Sequence, residues 1–378
     1  GNQTMEQDLR PARPVSPGRI LRQELEARGW TQRDLAAILG RPEQMVSEII
    51  NGAKQITPET SVELSQAFGV SPEFWHRLEA DYRLELARSQ ATDDSIARRS
   101  QLYAELPLQE MARRRWLVLR EGADALEAEV GRFFGANLAS LPGAPVLAAR
   151  LRCSTARQPA TYAQLAWLRR AEVLARPQAV AAWRPEHLTP LVTDLLTLTA
   201  HAEGTARVPA TLAQWGVRWV FLRHLSKSFL DGALFYVGGE PSIALTLRYD
   251  RIDSFWFTLL HEVGHLAEGG ETVYLDVLED SQEKNGGSEP GKGDTDSHEA
   301  RADQLASQWL IAPDALRSFV AATHPYFSKA RIEAFAASQD RHPGIVLGRL
   351  QRAGLVPYKN LRGLLVKVSP YLKEYIQD

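Results

Sequence analysis

Fourteen residues, FTLLHEVGHLAEGG from Phe257 to Gly270, place two histidines and a glutamate in the spacing His261-Glu262-Val263-Gly264-His265. On a helix, residues four apart stand one above the other on the same face. Both imidazoles can therefore reach one metal ion, while Glu262 leans to the same side and can hold a water as general base. Those are the parts of a zinc-dependent peptide hydrolase. A catalytic zinc takes three protein ligands and keeps a fourth position open, so one more ligand must come from another element. The segment SHEARADQLASQWLIAP (297–313) offers it. It reads as a helix with Ala302, Leu305, Ala306, Trp309 and Leu310 on its apolar face and Glu299 and Asp303 one turn apart on the other. Glu299 suits the third-ligand role, and Asp303 can then accept the free N–H of a ligand imidazole and fix its tautomer. His298 is the rival ligand, about 100° round the helix from Glu299. A solvated acidic helix face would carry the same carboxylates without any metal.

The elements that must position this set lie nearby. ALFYVGG (233–239) and PSIALTL (241–247) read as strands around a Gly-Gly turn, a sheet for the histidine helix to pack on. FWFTLLHEVGHL, followed by E-x-x-A-D-x-L-A-x-x-x-L-I-x-P from Glu299 to Pro313, resembles the ImmA/IrrE family of metallopeptidases. The similarity runs upstream through the strands near 217–247 and downstream through HPGIVLGRLQRAGLVPY (342–358). It implies an α+β zincin-like core over 211–320 and a helical C-terminal extension over 321–378. It further implies a zinc cofactor, with manganese as the substitute, and a cytoplasmic location. The substrate it implies is a regulatory protein, such as a helix-turn-helix repressor or a toxin or antitoxin partner. In this reading His261, His265 and Glu299 hold the metal, Glu262 is the base and Asp303 orients a ligand. Tyr249, His298 and Arg248 are open choices for the oxyanion stabiliser. The competing reading is an antitoxin-like repressor whose metal site is structural or inactive; a purely structural site has no need of Glu262.

A chain of 378 residues with 44% hydrophobic and 24% charged residues and a net charge of −2 has the composition of a soluble globular protein of two to three domains. One cysteine, Cys153, excludes an internal disulfide framework and fits a reducing compartment. No apolar run reaches membrane-spanning length, and no signal-peptide pattern opens the chain. Residues 1–15 are polar and Pro-containing, and read as a mobile tail.

From 16 to 90 the pattern is five short all-α elements. Thr31 caps one, Asn51-Gly52 closes another, and Thr57-Pro58-Glu59 and Ser71-Pro72-Glu73 each set a hydroxyl before a first-turn proline. With its ending SPEFWHRLEADYRLELAR, this stretch resembles the Xre-type helix-turn-helix of the HigA antitoxins. The resemblance makes 31–39 and 42–51 the reading pair, with Glu43, Gln44, Ser47 and Glu48 towards the major groove. Gln32, Arg41 and Lys54 are placed for phosphates, and the implied partner is operator DNA bound by a homodimer. Over 16–88, however, nine basic residues face eleven acidic ones. A DNA-binding module ordinarily carries a basic footprint, so a dimerisation or partner-binding module stays open.

Residues 91–210 read as a helical platform. Its first part is basic (Arg98, Arg99, Arg113-Arg114-Arg115), either a supplement to a DNA surface or a solvated linker face. Between the histidine helix and Glu299, the stretch 271–297 is acidic and Gly-rich around 284–296. It is expected to be a mobile loop able to cover the cleft.

Overall fold

The computed structural model describes residues 15–90, 94–135, 153–154, 161–270, 273–276 and 294–378; the expected tail and most of the expected cleft-covering loop lie outside them. The protein is multidomain, dividing between Ile96 and Ala97 into two compact units. It is mostly helical, with one small mixed sheet.

The first unit contains α1 (Pro17–Arg28), α2 (Gln32–Leu39), α3 (Glu43–Ile50), α4 (Pro58–Phe68) and α5 (Pro72–Gln90). Local chemistry sets their limits. Thr31 and Asp34 form a reciprocal capping box at the start of α2, and Gly29 and Gly40 close α1 and α2 in the left-handed conformation. Ser16 and Thr57 accept backbone N–H groups ahead of Pro17 and Pro58. Leu21, Leu25, Leu35, Val46, Ile49, Leu64, Phe68 and Trp75 close the core. The α1–α3 crossing is tight: a Cβ on Gly18 would lie 2.1 Å from the Ile50 carbonyl oxygen, so only glycine fits there.

The second unit holds α6 (Ser95–Glu105, beginning at the boundary), α7 (Leu108–Arg113), α8 (Ala123–Phe134) and α9 (Tyr162–Ala175). There follow α10 (Leu188–Leu196), α11 (Val208–Gln214), α12 (Ile252–Leu266) and α13 (Asp294–Leu310). Last come α14 (Pro313–Thr323), α15 (Lys329–Ser338) and α16 (Pro343–Arg352). The strands are β1 (Cys153–Ser154), β2 (Arg218–Leu222), β3 (Gly232–Val237), β4 (Glu240–Leu245), β5 (Val273–Asp276) and β6 (Ile376–Gln377), in sheet order β1-β5-β3-β4-β2-β6. The expected Gly-Gly turn is a two-residue hairpin, with Gly238 and Gly239 at φ +62° and +82°. Both positive angles match the turn whose twist suits flanking strands.

Alternation along the strands divides the core. Val220, Leu222, Ala233, Phe235 and Ala244 face one side, with Leu165, Trp167 and Leu168 of α9. Trp219, Phe221, Leu234, Ile243 and Leu245 face the other, with α12. The stretch expected as a joining platform therefore shares a core with the sheet. It even supplies β1, which pairs in parallel with β5. Two apolar faces of one sheet need two covers, and α9 is the second.

Helix α12 carries the histidines and is buried on every side; all its residues except Ser254 are inaccessible. It packs on β3 and β4, α13 and α16. The second helix of the site starts at Asp294 rather than 297 and ends at Leu310, because Pro313 opens a separate helix. Gly264, between the two histidines, lets α13 approach: a Cβ there would stand 3.2 Å from Ala302 Cα.

A candidate metal centre and a candidate nucleic-acid interface

The four-residue spacing on α12 brings the two histidines together, and α13 delivers Glu299 beside them. His261 Nε2 lies 3.1 Å from His265 Nε2 and 3.3 Å from Glu299 Oε2, and His265 Nε2 lies 3.7 Å from Glu299 Oε1. One donor atom from each residue falls within 4.8 Å of the others. The histidines are each 1% exposed and the Glu299 side chain 19%. Two imidazoles and a carboxylate converging in a mostly buried site could hold a cation, and the donor set is one that zinc accepts. His261 Nδ1 donates to Asp303 Oδ1 at 2.8 Å. That bond leaves Nε2 as the lone-pair atom aimed at the cluster.

Glu262 is fully buried. Its carboxylate lies against the start of β3, where a Cβ on Gly232 would come within 2.3 Å of Oε1. Three further groups pack around the cluster or its helices and went unread in the sequence. Tyr274 of β5 stacks on His265 with ring centroids 3.9 Å apart and planes 9° from parallel. Glu268, just past α12, accepts from His298 Nδ1 at 2.9 Å and forms an ion pair with Arg301, Oε1 to Nε 3.0 Å, tying the first turns of α13 to the end of α12. Arg352 of α16 lies over the Phe257 ring, 3.6 Å from its centroid, and burial lowers its pKa to about 10. Tyr274 could have been found from the alternation in VYLD; the other two reach the site only through tertiary packing.

His298, the rival ligand, stays with Glu268 and outside the donor cluster. Arg248 donates to the Phe229 carbonyl at 2.9 Å and pairs with Asp231 at 3.3 Å. The Tyr249 ring lies beneath Arg248 and borders a small cavity of about 20 Å³ along the N-terminal half of α12.

In the first unit, Glu43 and Gln44 are exposed on the first turn of α3. The Gln44 amide donates to Glu48 at 2.9 Å, and Ser47 accepts from Asn51 at 3.3 Å. Gln32 opens α2, and Lys54 is exposed between α3 and α4. Arg41 is engaged by Glu63, with Nη2 2.5 Å from Oε1. The loop carrying Lys54 is fixed from α5. Buried Glu79 accepts the Ile56 N–H at 3.1 Å and Arg83 Nε at 2.6 Å, and Arg83 donates to the Gly52 carbonyl at 3.2 Å.

The helix-turn-helix family profile matches residues 21–75. An uncharacterized HTH-type transcriptional regulator of Haemophilus influenzae is 40% identical over 68 residues, which make up 18% of this chain and 64% of that protein. The virulence-associated protein A′ of Dichelobacter nodosus is 36% identical over 81 residues, 21% of this chain and 70% of that one. The antitoxin HigA-1 of Vibrio cholerae is 42% identical over 64 residues, 17% of this chain and 60% of the antitoxin. The chain thus spans a little under two thirds of the Haemophilus and Vibrio relatives.

Proposed function

The chain belongs, through residues 21–75, to the helix-turn-helix family, and on that premise we propose a DNA-binding transcriptional regulator that also carries a metal-dependent endopeptidase. The observation that carries the peptidase half is the convergence of His261, His265 and Glu299 within 4.8 Å, with Glu262 buried beside them. We read the second unit as a zincin-like domain of the ImmA/IrrE kind and its substrate as a regulatory protein, a helix-turn-helix repressor or a toxin or antitoxin partner. The setting is cytoplasmic. Among the described residues no helix is long and apolar enough to cross a membrane.

Zinc or manganese on the three ligands would supply Lewis-acid polarisation of a peptide carbonyl and an acidified water. The remaining work belongs to side chains. Glu262, desolvated and pressed against Gly232, takes a proton from water and returns it to the departing amine. Asp303 holds His261 in one tautomer, Tyr274 keeps the His265 ring flat against β5, and Glu268 fixes the angle at which α13 presents Glu299.

In the first unit, α3 offers Glu43, Gln44, Ser47 and Glu48 to base edges, with Gln32 and Lys54 to phosphates; Arg41 must leave Glu63 to join them. The proposed partner is an operator bound by two copies of the chain.

The test uses the full chain loaded with zinc. Wild type and Glu262→Gln should each bind about one zinc ion, and only the wild type should cleave casein or a helix-turn-helix repressor. Cleavage by neither, with zinc bound by both, would favour the antitoxin-like repressor with a structural metal. Loss of zinc in Glu262→Gln would overturn the role given to that residue.

A further inference from the structure

Arg352 ends α16 and carries a charge that the mechanism above does not use. Its guanidinium carbon lies 3.6 Å from the centre of the Phe257 ring, and that ring stands 6.2 Å from the His261 imidazole, one turn further along α12. The cation is therefore no further from the His261 ring than those two distances laid end to end. It makes no hydrogen bond and no ion pair among the described residues. With its pKa lowered to about 10 by burial, it is still charged at neutral pH. The carboxylates whose charge reaches it are engaged elsewhere: Asp253 with Arg251 at 3.2 Å, and Asp303 with His261 at 2.8 Å. Arg349, one turn earlier on α16, is also unpaired among the described residues and adds a second positive charge. Tyr358 acts on Arg352 from the segment that follows, and its hydroxyl is buried with no hydrogen-bond partner among the described residues. The negative end of a helix dipole favours cations in the last turn, which accounts for Arg349. It does not account for a guanidinium drawn out of water over an aromatic ring with no acceptor, because a desolvated charge left unpaired is costly.

We propose that Arg352, with Arg349 and Tyr358, receives a carboxylate of the substrate, the side chain of an aspartate or glutamate in a peptide lying across the candidate metal centre. The proposal rests on the peptidase reading given above. A guanidinium offers paired N–H donors that match the two oxygens of a carboxylate. The Phe257 ring holds that guanidinium from one side, as an aromatic face holds a cation, so little side-chain freedom remains to be lost when the anion arrives. The Tyr358 hydroxyl is a further donor of the same use. A basic side chain would meet two like charges in the same place. An extended peptide advances about 3.3 Å per residue. Set against the two ring distances, that puts the acidic residue two or three places from the bond held at the metal.

The receptor is tested without turnover, by calorimetry on the zinc-loaded full chain with alanine-based peptide hydroxamates. Two series carry the metal-binding group at the C-terminal or the N-terminal end, and each bears Glu, Gln or Lys two or three residues away. In one series the Glu compound should bind at least about tenfold more tightly than the Gln compound, the factor a charge-assisted contact brings, and the Lys compound should bind most weakly. Arg352→Met, which keeps an unbranched chain over Phe257, should bring the Glu-to-Gln ratio to about one with zinc content unchanged. Arg352→Glu should turn the preference towards Lys. Equal binding of Glu and Gln compounds in both series, binding of none, or an unchanged ratio in Arg352→Met would each overturn the receptor. Loss of zinc in Arg352→Met would do the same, by making Arg352 a support of the metal ligands instead. Preference for Glu without cleavage of any peptide by the wild type would leave the receptor standing and sink the peptidase reading.

Discussion

His261 and His265 meet because four residues are close to one helical turn, and the same period sets Asp303 one turn after Glu299. These positions can be read from the sequence for that reason. The groups that restrain them cannot. Gly232 reaches Glu262 through the fold of the sheet, Glu268 reaches His298 and Arg301 across two helices, and Arg352 lies ninety-five residues beyond the Phe257 ring it covers. The first prediction tests the least visible of them. In Gly232→Ala a methyl would enter the space of the Glu262 carboxylate, 2.3 Å from Oε1. A displacement near 1 Å of a reacting group costs about a hundredfold, so kcat/KM for protein cleavage should fall by about that factor while zinc content stays at the wild-type level. Loss of zinc along with activity would show that the glycine serves the ligands instead. The second concerns Asp303, which receives the His261 Nδ1–H at 2.8 Å. Asp303→Asn should weaken zinc binding by about 10- to 100-fold, measured by competition with a chromophoric chelator; an unchanged affinity would remove Asp303 from the metal centre.

At the scale of elements, capping hydroxyls, first-turn prolines and the double-glycine turn were legible because each acts within four residues. The strand Cys153–Ser154 was not, since its pairing with Val273 and Tyr274 spans more than a hundred residues and two residues carry no alternation. The start of α13 was also misplaced, because the charge and glycine content before Ser297 reads as loop although its last residues are helical. Helix α16 gives a pH prediction. His342 caps it, its Nδ1 accepting the Gly344 N–H at 3.0 Å. Burial, reinforced by the neighbouring His201, lowers the His342 pKa below its ordinary 6.5. A depressed histidine favours the neutral form in the folded state. Its contribution is therefore complete above about pH 6.5 and is lost as pH falls through the folded value. The urea midpoint should drop between about pH 8 and about pH 5.5, and His342→Asn, which keeps a capping acceptor that does not titrate, should show a smaller drop. Helix α5 gives another. Removing the buried Glu79 carboxylate strands the Ile56 N–H and loosens Arg83 from the Gly52 carbonyl. Glu79→Ala should cost about 1–3 kcal/mol, read from the first unit's unfolding, and a change under about 0.5 kcal/mol would mean water replaces the clamp without penalty.

At the scale of the molecule, length alone suggested two to three domains, and helix caps together with a resemblance to HigA-type antitoxins placed a helix-turn-helix module ahead of the chemistry. The number of compact units was harder to see, because the middle helices look self-sufficient in sequence yet spend their apolar faces on the sheet. Two units with separate cores should unfold as two transitions, and only the second unit holds the proposed metal ligands. A ligand stabilises the state that binds it by RT ln(1 + [L]/Kd), about 2.7 kcal/mol when free ligand stands a hundredfold above Kd. Zinc should therefore raise the melting of the second unit by several degrees and leave the first unit's transition in place. His261→Ala should abolish that shift. Operator DNA should do the reverse, raising the first transition in proportion to binding, and Gln44→Ala should reduce the rise if that side chain reads a base edge, at about 1–3 kcal/mol of specific binding. Differential scanning calorimetry of the full chain, with zinc, with a promoter duplex and with both, separates these effects. If zinc moves both transitions equally, or DNA moves the second, the two activities are coupled in one cooperative body, and their assignment to independent units is wrong.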